Sequence, residues 1–539
     1  MFNRNDIKQN KISLNKIDHK LTLTINKHLP IIYILIVGTG FLVRLYYTPF
    51  DLPITLDGAR YFWYALDTSI LGHYPTDYSL ANTGWPTLLS VFFSFLNSSN
   101  FLDYMAVQRL VSVMISCVTA IPIYFLITRF FDKYYALIGV SLFIFEPRII
   151  QNSLFGITDP LFVFLSTLGL VFFLKKNIKS SYIAFLIIAF CAFVRYEGLL
   201  LVIPLSIMFF FKHKTEKNLI IKFLASIAIF LLVLIPIALI RIDASGYDGL
   251  SSHIIGGSEF VYYTKILQND EERCREGDCD ETLLDFIFRG AVNLIKTAGI
   301  ALIPNFIFFL PACFFLIFKK RDYKKNTLIL FSIIMSLPIL YIFGRNVMDV
   351  RYVFILYPIF TLATLYFIKK IILNNRLRNK LYFVVIVIII LSSIIYLNNF
   401  SIDYEREREL FMAAKWIAKN TNGVNELHDI SKYHSAAGIA LNPFPVLKID
   451  AIEYEPLRID SYEYNSLNDY IKFGKKNGLT HLVVDGNHNN DYFNEIFFDK
   501  VKYPYLIKEF DSLDHGFQYH VKIYKIDYSI FDSISNESE

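Results

Sequence analysis

Charge is scarce in this chain. Asp, Glu, Lys and Arg make up only 19% of its 539 residues, against 54% hydrophobic and 17% aromatic ones. With a mean hydropathy of +0.41, that balance excludes an ordinary water-soluble protein of this length. Cysteine is scarce too. Five are too few for a disulfide framework, and Cys117, Cys191 and Cys313 lie in apolar runs, where Cys serves as a small core residue. No Walker loop, dinucleotide fingerprint, nucleophile elbow or His-Glu-x-x-His is found, so soluble-nucleotide chemistry and classical hydrolysis have no support. Internal repeats are lacking as well. The first 28 residues carry Arg4, Lys8, Lys11, Lys16, Lys20 and Lys27 without a short apolar run leading to a small-residue cleavage site, so no removable signal peptide is expected. The net charge of +5 points to no nucleic-acid partner, because Lys and Arg accumulate in the cytoplasmic loops of membrane proteins.

What the chain does have is long apolar runs. A helix needs about 20 apolar residues to cross a bilayer, and the runs predict eleven spans near 29–48, 105–128, 134–147, 158–174, 181–195, 198–211, 219–240, 292–318, 326–344, 351–368 and 381–397. Lysines set the orientation. Lys175, Lys176 and Lys179 precede the run 181–211 and Lys212, Lys214 and Lys217 follow it, so both flanks belong in the cytoplasm and the run is read as a hairpin. Its outer turn is Arg195-Tyr196-Glu197-Gly198. By the same logic Pro147 to Pro160 turns outside. The expected protein is a multi-pass membrane protein with a cytoplasmic N-terminal tail (1–28), a membrane body (29–399) and an extracytoplasmic C-terminal domain (400–539). Segments 59–70 and 86–96 of the first outer loop suit interfacial helices. The Asn-x-Ser sequons at Asn97, Asn399 and Asn536 all fall on the outer side. In the C-terminal domain, Tyr404–Lys419 reads as an amphipathic helix, Thr480–Val484 as a buried strand, and Lys502–Asp511 and Gln518–Asp527 as further strands, which predicts a small α/β domain.

Ionisable groups at membrane depth are costly unless they are paired or functional, so they are the natural site candidates. Asp57 follows the first span and precedes an aromatic helix; it either caps that helix or serves as a working carboxylate. Arg44 and Arg109 lie among apolar residues of the first two spans, where they either snorkel outward or hold an anion. Asp159, in Thr158-Asp159-Pro160, opens a span and suits helix initiation as well as function. Arg195 with Glu197, and Arg351 beside Tyr352, stand at outer span ends. Cys274 and Cys279 enclose Arg275-Glu276-Gly277-Asp278 in an outer loop and suit a local disulfide; nothing nearby completes a zinc site.

Taken together, the Asp after span one, Arg109-Leu110, Thr158-Asp159-Pro160, Arg195-Tyr196-Glu197-Gly198 and Arg351-Tyr352 resemble the membrane glycosyltransferases of GT-C fold over roughly residues 29–400. Within them the chain looks most like the protein O-mannosyltransferase and lipid A aminoarabinose transferase branch. The resemblance implies a polytopic α-helical enzyme of about eleven spans with a small extracytoplasmic α/β domain, in the cell membrane or, in a eukaryote, the endoplasmic reticulum. It implies transfer of a sugar from a polyprenyl-phosphate donor to a protein, lipid or glycan acceptor. It also implies Asp57 as the catalytic carboxylate, Arg44 and Arg109 on the donor phosphate, and Asp159, Arg195, Glu197 and Arg351 as substrate-binding residues. A divalent ion held by Asp57 and Asp159, as in the oligosaccharyltransferase branch, stands as an alternative to direct base catalysis. The Trp-Trp-Asp-Tyr-Gly motif of that branch is lacking, although Ala413–Thr421 resembles the helix preceding it there. A lipid-linked sugar flippase or a non-catalytic assembly protein of the same shape are the competing classes. A transporter would show repeats and midplane breaks, whereas here the informative residues gather at the outer boundary.

Overall fold

A computed structural model of the chain describes residues 28–78, 80–250, 283–318, 322–373, 378–400, 402–452, 455–461, 464, 466–486, 491–498 and 503–537. They form two compact units. The first takes the described residues within 1–48, 78–85 and 109–401; the second takes those within 49–77, 86–108 and 402–539.

The first unit is helical throughout its described residues. Across the described residues of the whole chain, six helical stretches are long and apolar enough to cross a membrane: His28–Tyr47, Phe101–Ile127, Leu219–Ser245, Tyr323–Gly344, Val350–Ile372 and a stretch that opens at Leu381. Leu219–Ser245 leaves Ile220, Leu224, Leu232, Ile235 and Leu239 exposed, the pattern of a helix bathed in lipid rather than in water.

Several expected spans are shorter than a bilayer requires. Lys133–Ile144 and Asp159–Phe173 contain 12 and 15 residues, or about 18 and 22 Å at 1.5 Å per residue, against a hydrocarbon core of about 30 Å. Most of their side chains are buried against other helices, so their hydropathy reflects the interior of the bundle. The run 292–318 is not one span. It breaks into Leu283–Leu302 and Phe309–Phe318 at the segment holding Pro304. The run 181–211 is the expected hairpin: Ile178–Val194 and Val202–Lys212 lie antiparallel, with Phe185 against Phe209 and Ser181 Oγ 2.9 Å from His213 Nε2.

In the second unit the expected interfacial segments are the helices Leu56–Leu71 and Gly84–Phe93, the latter entering this unit from Pro86 onward. Exposed Val91, Phe92 and Phe95 suit the membrane interface. The expected amphipathic helix is Tyr404–Asn420, capped by Asp403, which accepts from the backbone N–H of Glu405 and Arg406. The C-terminal sheet is mixed. Its strands β1 (Gly423–Asn425), β2 (Leu457–Ile459), β3 (His481–Asp485), β4 (Leu506–Asp511) and β5 (Val521–Ile526) run in the order β2-β1-β3-β5-β4. β1 pairs in parallel with β2 and β3, while β5 runs antiparallel to β3 and β4. β3 is buried along its whole length, its apolar centre Leu482-Val483-Val484 flanked by the buried His481 and Asp485. Leu482 and Val484 pack with Tyr470, Ile471, Phe493 and Tyr524 in the core.

Candidate active site

Arg44 comes from the apolar helix His28–Tyr47, yet its side chain does not snorkel. It is 0% exposed. Nη1 donates to Gly40 O at 2.9 Å and Nη2 to Ser116 Oγ at 3.2 Å, while Nε has no hydrogen-bond partner among the described residues. Both acceptors are neutral. A buried guanidinium with no carboxylate beside it carries a large desolvation cost. Arg109 is also buried, with Nε donating to Leu154 O at 3.1 Å. Snorkelling is therefore excluded for both.

Asp159 opens the helix Asp159–Phe173 with Pro160 in its first turn, as the sequence predicts, although Thr158 makes no side-chain cap. It is 4% exposed. Its carboxylate pairs with Arg195 Nη1 and accepts from Asn152 Nδ2 at 3.4 Å. Arg195 ends Ile178–Val194 in an extended conformation, which points its side chain away from the helix it leaves. Its Nη2 reaches Glu197 Oε1 at 2.7 Å, so one guanidinium ties two carboxylates together. The rings of Phe162 and Tyr352 lie 5.5 Å from its charged centre, within range of a cation–π interaction. Gly198 permits this arrangement: a Cβ there would stand 2.6 Å from Ala192 N.

Asp159, Arg195, Glu197, Arg351 and Tyr352 line one narrow crevice, walled by apolar residues that include Phe162, Met335 and Pro338. Asp159 also borders a second small pocket with Ser116, Thr119 and Asn152. Four dispersed sequence candidates thus come together. Arg351 has a partner that sequence reading missed. Asp349 caps the short 3₁₀ helix Val350–Leu356 and binds Arg351 through its N–H at 2.9 Å and its Nε at 2.5 Å; the Asp-x-Arg spacing was the available signal. Asn152 gave no such signal. A further buried pair was missed as well: Glu146, fully buried, lies 3.5 Å from Arg148, which also donates to Ile303 O and stacks on Tyr396.

Asp57 belongs to the second unit, within the first turn of Leu56–Leu71. The N-cap position is Thr55, whose side chain makes no capping hydrogen bond, and the Asp57 carboxylate in the first turn is placed to complement the helix dipole. Leu56, just before it, has φ +53°, a left-handed conformation that is rare for a bulky side chain. Cys274 and Cys279 lie outside the described residues. No group of three His, Cys, Asp or Glu among the described residues comes together for a metal ion. The crevice offers two carboxylates already tied to one guanidinium and otherwise mostly hydrocarbon. That donor set does not fit a divalent ion; of the two carboxylates expected to hold one, Asp159 belongs to this crevice and Asp57 to the second unit.

Residues 92–240 match the family described as dolichyl-phosphate-mannose-protein mannosyltransferase. No curated protein matches the chain. Among solved structures, the Archaeoglobus fulgidus oligosaccharyltransferase in complex with zinc and sulfate aligns with a TM-score of 0.53 at 15% identity, covering 84% of this chain and 68% of that one. ArnT from Cupriavidus metallidurans aligns at 0.47 and 11% identity, covering 93% and 98%. The chain is thus similar to membrane glycosyltransferases of GT-C fold, as its motifs led us to expect.

Proposed function

We propose that the protein transfers a sugar from a polyprenyl-phosphate carrier to a hydroxyl of a protein, lipid or glycan on the extracytoplasmic face, with inversion at the anomeric carbon. The observation that carries this reading is Arg44, a fully buried guanidinium without an acidic partner among the described residues. A cation kept there at such cost needs an anion to offset it, and the phosphate of a lipid carrier brings one along the membrane. The family matched over residues 92–240 is described by a dolichyl-phosphate sugar and a protein acceptor, which supports the same donor class.

The chemistry follows from these roles. The acceptor oxygen attacks the anomeric carbon, the bond from that carbon to the phosphate oxygen breaks, and the hydroxyl proton passes to the carboxylate of Asp57. Negative charge grows on the departing polyprenyl phosphate, where Arg44 and Arg109 stabilise it. Asp159, Arg195, Glu197 and Arg351 would contact the sugar. With its cations already tied to carboxylates, that crevice suits hydroxyl groups better than a second phosphate.

Asp57→Asn tests the reading. The amide keeps the shape but removes the basicity, so turnover of radiolabelled dolichyl- and undecaprenyl-phosphate hexoses should fall by about 10²–10⁴-fold with donor affinity retained. Transfer at the wild-type rate would remove Asp57 from the mechanism. A wild-type protein that carries the lipid-linked sugar across vesicles yet never releases it to an acceptor would make it a transporter.

A further inference from the structure

The Phe101–Val118 helix contributes its residues up to Gln108 to the second unit, and Phe101, Tyr104, Met105 and Gln108 recur there at the spacing of one helical face. Each holds a neighbour. Gln108, fully buried, donates from Nε2 to Gly58 O at 2.9 Å, and Met105 Sδ accepts from the Ile54 N–H at 3.1 Å. These two contacts bracket Asp57 from either side in the chain. Farther along the same face, the rings of Phe101 and Tyr104 receive Phe444 from the C-terminal segment, at centroid distances of 6.2 and 5.2 Å. Phe444 also stacks on Phe62 at 6.5 Å, and Phe62 belongs to the helix that carries Asp57. Phe444 is only 6% exposed.

Polar ties flank the ring. The Lys448 N–H donates to Asp67 Oδ1 at 3.0 Å, where Asp67 is a buried residue of the Asp57 helix. Arg408 reaches Asp51 with Nε at 2.5 Å and Nη2 at 3.3 Å; that pair is exposed, so it contributes less than the buried contacts. All of these residues belong to the second unit. Leu56, at φ +53° with a side chain 74% exposed, takes a conformation its own sequence does not favour.

We infer that Phe444 is a positioning residue: packed against Phe62 and the Phe101–Tyr104 face, it fixes the helix that presents Asp57 and so sets the alignment for sugar transfer. The inference rests on the reading of Asp57 as proton acceptor. Misplacing a reacting group by about an ångström costs up to about 10²-fold in rate, so Phe444→Ala in the full chain should lower kcat by about 10–100-fold. The KM for dolichyl-phosphate hexose should stay unchanged, and Phe444→Leu should recover part of the loss. Amide exchange of peptides covering 54–71 should rise in Phe444→Ala, a readout that needs no substrate. Because the ring acts through Asp57, Phe444→Ala added to Asp57→Asn should cost nothing further.

Unchanged exchange over 54–71 overturns the positioning role, and so does a loss that adds fully to that of Asp57→Asn or a change in KM alone. If exchange rises but the wild type transfers no sugar from either dolichyl- or undecaprenyl-phosphate hexose, the clamp stands while the proposed function falls, and the catalytic half of the inference falls with it.

Discussion

At the scale of single residues, burial decides what each charge can be. A lone buried guanidinium is a liability to the fold, so removing it while keeping its volume should cost the protein little. Arg44→Met should therefore melt in detergent at or above the wild-type temperature, yet weaken binding of undecaprenyl phosphate by about 30-fold or more, since losing such a pair typically costs about 2–5 kcal/mol. Unchanged binding would leave Arg44 without a ligand. His434 shows the opposite economy. It is buried in the C-terminal domain with Nδ1 unpartnered among the described residues, and burial, aided by Arg458, pushes its pKa down to about 4. Between its ordinary value of about 6.5 and about 4, the unfolded chain takes up a proton that the folded one refuses, so stability falls as pH drops through that window and stays flat above it. The ceiling is about 3 kcal/mol. His481, also lowered chiefly by burial, adds in the same direction. Faster amide exchange of peptides 428–441 at pH 5 than at pH 7, after correction for intrinsic rates, checks this, and His434→Leu should flatten the difference. Arg44, Asp159 and Arg195 were legible as charges in apolar surroundings. Asn152 and Glu146 were not, because what they do depends on partners that only the fold supplies.

At the scale of elements, hydropathy reports burial without saying whether lipid or protein does the covering. Lys133–Ile144 and Asp159–Phe173, both expected as spans, are shorter than the hydrocarbon core and largely enclosed by other helices, so their apolar side chains meet protein more than lipid. The hairpin of 181–211 was legible because lysines flank it on both sides. The break within 292–318 was less so: Pro304 marked it, but an apolar run tolerates proline in membrane helices. Two glycines fix the end of Ile178–Val194. A Cβ on Gly198 would meet backbone atoms of Ala192 at 2.6 and 2.7 Å, and one on Gly84 would meet Phe193 O at 2.7 Å. Backbone cannot yield as a flexible side chain would, so Gly198→Ala should displace the Tyr196–Leu201 turn and with it Glu197. We expect a loss of about 1–3 kcal/mol, typical of overpacking, and a drop in sugar transfer larger than that of Gly84→Ala, because Gly198 adjoins Glu197 directly whereas a Cβ on Gly84 would press on Phe193 and Val194. Equal transfer rates in the two variants would mean that the position of Glu197 is unimportant.

At the scale of the whole molecule, the C-terminal α/β domain was legible because its strands are short apolar runs with turn signals, and β3 falls within one residue of the predicted segment. The order β2-β1-β3-β5-β4 was not, since pairing partners lie far apart in sequence. The orientation we propose in the membrane rests on charge alone, and it is open to direct measurement. In that proposal Lys133, the cluster Lys212 to Lys217, Lys319 to Lys325 and Lys369 to Lys380 lie inside, because lysines and arginines are retained on the cytoplasmic side. Reporter fusions after residues 132, 215, 322 and 375 should therefore read cytoplasmic, and those after 152, 265 and the C-terminus external. The fusion after 322 carries the most weight. Five Lys or Arg residues fall within 319–325, and moving that many basic residues across a membrane works against the strongest known determinant of topology. An external signal there would invert every later segment, put the C-terminal domain in the cytoplasm and, because Phe444 lies in that domain, remove the ring we place behind Asp57 from the face on which transfer is proposed.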